Sequence, residues 1–115
     1  MKKSLLYIVV LLSLSACGGG EPKVPEDIMP KEKMVSVLED VHILEAVMSV
    51  KNIYGDSALR YSSEAYKAIY KNHHTTKDDF NKSFKYYAKH PKLMDDIYKD
   101  VIDELSKKQA EVSKK

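Results

Sequence analysis

Glu39-Asp40-Val41-His42 is an E-x-x-H spacing, and Glu45 follows three residues beyond the histidine. On a helix those three side chains fall along one strip. In ferritin-like di-iron bundles, two such motifs and two further glutamates converge on the metals. This chain has one copy only, because none of His73, His74 and His90 carries a glutamate three residues before it. Glu64 is the one obvious acidic donor on the next helical segment. The expectation is therefore no metal and no cofactor, with Glu39, His42 and Glu45 forming a helix rim of local charge pairs. A dimer that doubled the motif is the one arrangement that would change this. His73-His74, just before Thr75-Thr76, suit a helix C-terminus, where an imidazole meets the negative pole of the dipole. His90 precedes Pro91 and reads as the cap of a following helix.

Nucleophilic chemistry has less to work with. The serines that follow Cys17 have no G-x-S-x-G setting, and neither a P-loop nor a dinucleotide glycine pattern occurs. The expectation is that the chain is not an enzyme. The single cysteine, Cys17, excludes an internal disulfide framework. It has a different use. Lys2-Lys3 and the apolar run Leu5 to Leu14 precede Leu14-Ser15-Ala16-Cys17. The run is too short to span a bilayer and has the length of a signal-peptide core. The four residues ending in Cys17 resemble the lipobox of bacterial lipoproteins, whose cysteine is acylated and becomes the first residue. That resemblance implies a removed signal over 1–16 and lipidation of Cys17. A plain secretory cut after Ala16 is the other reading. Two or three acyl chains anchor a protein stably where one does not. Gly18 is not the aspartate that holds many enteric lipoproteins in the inner membrane, and Gly18-Gly19-Gly20-Glu21 lacks an acidic export cluster. The expected place is the outer membrane, facing the periplasm.

Tyrosine is the compositional oddity, with eight against two Phe and no Trp. A tyrosine buries a large ring and still needs a partner for its hydroxyl, so it favours core edges and interfaces. Tyr86, Tyr87 and Tyr98, joined by His90, are the candidate edge of a groove for a partner. Adjacent residues cannot share one helix face, so either Tyr86 or Tyr87 must point away from the stripe of Phe80 and Phe84.

The elements that position these residues are helices. The 19 basic residues include Lys2 and Lys3, and the rest equal the 17 acidic ones. A balanced chain gives no reason to expect a nucleic-acid partner. Gly18, Gly19, Gly20, Pro22, Pro25 and Pro30 crowd the stretch after Cys17, so residues 17–30 read as the lipidated cysteine and a flexible tether. From 31 to 115 the periodicity is that of a small all-α bundle of about four helices. The first is expected from Lys31 to Tyr54, with Gly55 as its stop. Its two apolar stripes, Met34, Val37, Val41, Leu44, Met48 and Ile43, Val47, Val50, Tyr54, predict a central helix covered by others. A second helix is expected over 57–72, and a third from a Thr76 cap to about Lys89. The fourth runs from Pro91 to about Val112, with Met94, Ile97, Val101 and Leu105 facing inward. Asp95–Lys99, Asp103–Lys107 and Glu104–Lys108 are its i,i+4 pairs.

Ile28-Met29-Pro30-Lys31-Glu32-Lys33-Met34, with Leu38, Asp40, His42 and Glu45-Ala46, resembles the opening of the DUF4296 family. The second half is more specific: Asp79-Phe80, Ser83, Tyr86-Tyr87, His90-Pro91, Ile97-Tyr98, Val101 and Leu105. The resemblance covers about residues 25–106 and implies a small lipoprotein of the Bacteroidota. It brings no catalytic residues with it. The expected function is a membrane-anchored, non-enzymatic interaction subunit with an envelope protein as partner. A chaperone-like holding module is the alternative, and a metal-binding helical enzyme the third.

Overall fold

Pro30 has no amide proton to lose and a φ of −57°, so it leads directly into helix α1 (Lys31–Val50). The computed structural model describes residues 22–115, so the expected signal segment and Cys17 lie outside the described residues. Helix α1 stops four residues before the expected Tyr54. Asn52 takes the left-handed conformation at φ 50°, the Ile53 N–H donates to the Met48 carbonyl at 3.1 Å and the Asn52 N–H to the Ser49 carbonyl at 3.2 Å. This is a Schellman closure, with asparagine where glycine is commonest. Gly55, expected to end α1, instead begins α2 (Gly55–Asn72), at φ 70°. Helix α2 closes in the same way as α1, with His74 at φ 49° and the Thr75 N–H on the Tyr70 carbonyl at 2.9 Å.

Helix α3 (Lys77–Ala88) starts as its sequence predicts, with Thr76 Oγ1 accepting from the Asp79 N–H at 3.1 Å. Helix α4 (Pro91–Ser113) has Pro91 in its first turn, but His90 does not cap it. The His90 Nδ1–H donates backward to the Tyr86 carbonyl at 2.7 Å, so His90 satisfies the end of α3 instead.

Helix α1 is the centre. Its Met34, Val37 and Leu38 meet Leu93, Ile97 and Val101 of α4, and Phe80 and Tyr87 of α3, in one core. Burying each such side chain contributes about 1.5–3 kcal/mol. Helix α2 is different: it has no fully buried residue and packs mainly against α1, with Tyr66, Ile69 and Tyr70 half-buried on the core. The expectation that α1 is covered on both stripes therefore fails for its second half. Ile43, Val50 and Tyr54 are exposed, the last two by 81% and 70%.

The expected tether of 17–30 is also shorter than its glycines and prolines suggest. Ile28 and Met29 are buried in the core. A turn carries the Ile28 N–H to the Pro25 carbonyl at 3.0 Å. The Met29 N–H donates to Ser83 Oγ at 2.8 Å, and the Tyr87 hydroxyl donates to the Met29 carbonyl at 2.7 Å. Asp27 pairs with Lys82 outside them, which holds the Asp27 carboxyl below its usual range through the lysine's hydrogen bond and charge. Residues 25–30 thus belong to the domain, because a buried backbone must have its donors and acceptors matched.

Candidate functional site

Because α2 leans mainly on α1 and reaches α3 only at its C-terminal end through Tyr70 on Phe80, a groove of about 760 Å³ opens between α2 on one side and α3 and α4 on the other. Leu38 and Val41 of α1 form its floor, Leu59, Tyr66 and Tyr70 of α2 one wall, and Phe80, Phe84 and Tyr98 the other. The rings form a run that crosses from α2 to α3 at Tyr70 and Phe80. Tyr70 stands 5.6 Å from Phe80 between centroids, Phe80 6.1 Å from Phe84, and Tyr66 6.2 Å from Tyr70. Burial raises the hydroxyl pKa of Tyr66 and Tyr70 above the usual tyrosine value, and for Tyr66 the nearby Glu45 carboxylate adds to it. A volume and lining of this kind are those of a ligand or peptide site.

The polar end of the groove is built by Glu45. Its Oε1 accepts from the Tyr66 hydroxyl at 3.4 Å, and its Oε2 lies 3.6 Å from His42 Nδ1. The His42 ring in turn leans on Tyr98, with 6.0 Å between centroids. Glu39, the other half of the E-x-x-H spacing, is not on this strip. It is 7% exposed and pairs with Lys108 from α4. That pair replaces the expected Glu104–Lys108 contact, while Glu104 takes Lys107 at 2.7 Å in place of the expected Asp103–Lys107. Asp95–Lys99 forms at 2.9 Å as predicted. Glu39 is thus turned into the α1–α4 contact and His42 into the groove, so the two face different neighbours. Among the described residues, no three His, Cys, Asp or Glu side chains are grouped to hold a metal ion.

Of the four tyrosine and histidine positions named from sequence, Tyr86, Tyr87 and His90 meet one another and Tyr98 lies apart from them. Tyr87 is 1% exposed and in the core, so it cannot edge a groove. Its adjacent partner is the outward ring: Tyr86 is half-buried and packs on His90 at 4.3 Å and edge-on to Tyr87 at 5.5 Å. Tyr86 and His90 form a corner between α3 and α4, away from the groove lining. Of the four, Tyr98 alone lines it.

His73 does more than end a helix. Its Nε2–H donates to Asp40 Oδ2 at 2.7 Å, and Nδ1 lies 3.4 Å from Ser36 Oγ. The Lys33 ammonium donates to the neighbouring His74 carbonyl at 3.2 Å. The order Ser, His, Asp is that of a hydrolase triad, but neither Ser36 nor His73 lines the groove. What these contacts do is tie the end of α2 to α1. Sequence reasoning placed Phe80 and Phe84 on one helix stripe without assigning them a site. The signal that could have found the groove is α2's aromatic face, with Tyr66 and Tyr70 four residues apart.

The family model described as "Domain of unknown function (DUF4296)" matches residues 25–111. The chain therefore belongs to that family, and the match begins where the buried turn before α1 begins. No curated protein and no solved structure matches it.

Proposed function

We propose that this member of the DUF4296 family is a membrane-anchored envelope lipoprotein acting as a non-enzymatic protein-interaction subunit. In this reading the lipid sits on Cys17, the outer membrane holds it facing the periplasm, and the groove receives an envelope protein. The observation that carries the reading is the groove itself, an open aromatic surface beside a helix packed mainly against one other. The lipobox-like Leu14-Ser15-Ala16-Cys17 supports the anchor. No described helix is long and apolar enough to cross a membrane, and in this reading attachment rests on the lipid of Cys17, which lies outside the described residues.

A chaperone-like holding module is the second reading, favoured by the exposure of Val50, Tyr54 and Leu59. Large exposed apolar side chains suit loose, exchangeable contacts. In-cell crosslinking and affinity recovery of the tagged chain, read by mass spectrometry beside Cys17→Ala, separates the two. One stoichiometric partner that disappears in the Cys17→Ala control supports the anchored subunit. A broad set of unfolded envelope proteins supports the holding module, and background alone overturns both.

A further inference from the structure

Within the interaction reading above, on which it rests, we infer that the groove takes an amphipathic α-helix of the partner and that this helix presents a Lys or Arg to Glu45. The described groove walls are helices, whose backbone donors and acceptors are matched internally, so no strand edge is offered for β-addition. Recognition there runs through side chains. The space is also of the right kind: α1 is its floor and α2 and the α3–α4 pair are its walls, which is the place a further helix would occupy in a bundle. Packed helices lie about 8–10 Å apart, and anchors at i, i+3, i+4 and i+7 would meet Tyr66, Tyr70 and Phe84.

Charge sets the occupant's chemistry. The Glu45 side chain is 56% exposed at one end of an otherwise aromatic surface. Its neighbours are a tyrosine hydroxyl and His42, and no lysine pairs with it. Lys67, the cation on the same wall, is committed to Glu64 at 2.9 Å. A lysine or arginine arriving beside Glu45 gains a carboxylate partner. It also gains the faces of Tyr66 and Tyr98, whose quadrupoles attract cations. An acidic residue in the same place meets repulsion. Lys77, in the first turn of α3, is the other charged group on the lining without a named partner, and it disfavours a second cation near Phe80.

The test uses the purified full chain in detergent micelles and two fluorescent amphipathic helical peptides, each roughly four turns long. Both carry leucines on one face and differ only in Arg against Glu at the last groove-facing position. The expected result is at least about tenfold tighter binding of the Arg peptide, with the preference reversed by Glu45→Lys and both peptides lost in Leu59→Glu. Leu59 is 70% exposed, so that substitution blocks the groove without disturbing the core. Equal binding of the two peptides, lost in Leu59→Glu, overturns the cation and leaves the interaction groove standing. Absent binding, or binding indifferent to Leu59→Glu, overturns both. Concentration-dependent self-association abolished by Leu59→Glu would put a second copy in the groove and overturn the partner helix.

Discussion

Tyr87→Phe isolates the contact that turns the segment before α1 from a tether into part of the domain. The substitution removes one oxygen and leaves the ring, so no cavity of consequence opens. The hydroxyl is the donor of a 2.7 Å bond to the Met29 carbonyl. Tyr87 is 1% exposed and Met29 7%, so water cannot replace it. A buried acceptor left unmatched costs about 1–3 kcal/mol, more than the net worth of an average hydrogen bond. For a domain of this size each kcal/mol moves the melting temperature by about 4–8 °C. The expected loss is therefore at least about 4 °C, with a matching drop in urea midpoint at unchanged m-value. Tyr87 also makes a prediction in pH. Burial raises its pKa, and the charges of Tyr86 and Glu32 add to this. A group whose folded pKa lies above its unfolded value holds its proton more tightly when folded. Its contribution is fully present below the unfolded tyrosine pKa of about 10, and is lost as pH rises through the folded value. Tyr66 and Tyr70 are shifted the same way, so wild-type stability falls above about pH 10, and Tyr87→Phe falls less steeply. A Tyr87→Phe chain with wild-type stability at neutral pH, and no faster trypsin cleavage after Lys23, would refute the reasoning that this bond docks the segment.

Three further outcomes are expected. Lys108→Ala strands the nearly buried Glu39 carboxylate and costs about 1–3 kcal/mol, discounted because the lysine is half exposed, whereas Glu39→Leu is neutral or stabilising; paired urea titrations check both signs. Asn52→Ala and Gly55→Ala each cost about 1 kcal/mol, since both residues sit at positive φ, whereas Asn52→Gly costs nothing; thermal melts of the three variants read this. His73→Ala breaks the Asp40 contact, and amide exchange rises in α2 well before it rises in α3 or α4, because α2 has no buried residue to hold it otherwise.

The helical class, the number of helices, the Thr76 cap and the break at His90-Pro91 were legible in the sequence because each rests on local chemistry. Helical period, capping oxygens and proline's fixed φ act within a few residues. The end of α1 was misplaced for a local reason too: asparagine in the left-handed region competes with glycine, and Asn52 comes first. Local reasoning failed wherever two distant segments decide the matter. Residues 25–30 look like a linker by composition, but Ser83 and Tyr87 match their backbone groups. Tyr86 and Tyr87 are equivalent on paper, and only the position of α1 decides which ring is buried. Glu39 and His42 are expected on one strip from their spacing, yet Lys108 pairs with the first in the α1–α4 contact while Glu45 and Tyr98 hold the second in the groove.

The sequence alone determined that this chain is an all-helical member of the DUF4296 family, with a lipobox-like cysteine ahead of the matched region. Tertiary structure alone decided that a groove exists. Each helix carries an apolar face because that pattern is written in its own residues. Whether the face is covered depends on how many neighbours the rest of the chain can supply. Helix α4 packs on α1 and α3 while α2 packs mainly on α1 and reaches α3 through Tyr70 on Phe80, and the place left open beside α2 is where the aromatic residues of three helices converge.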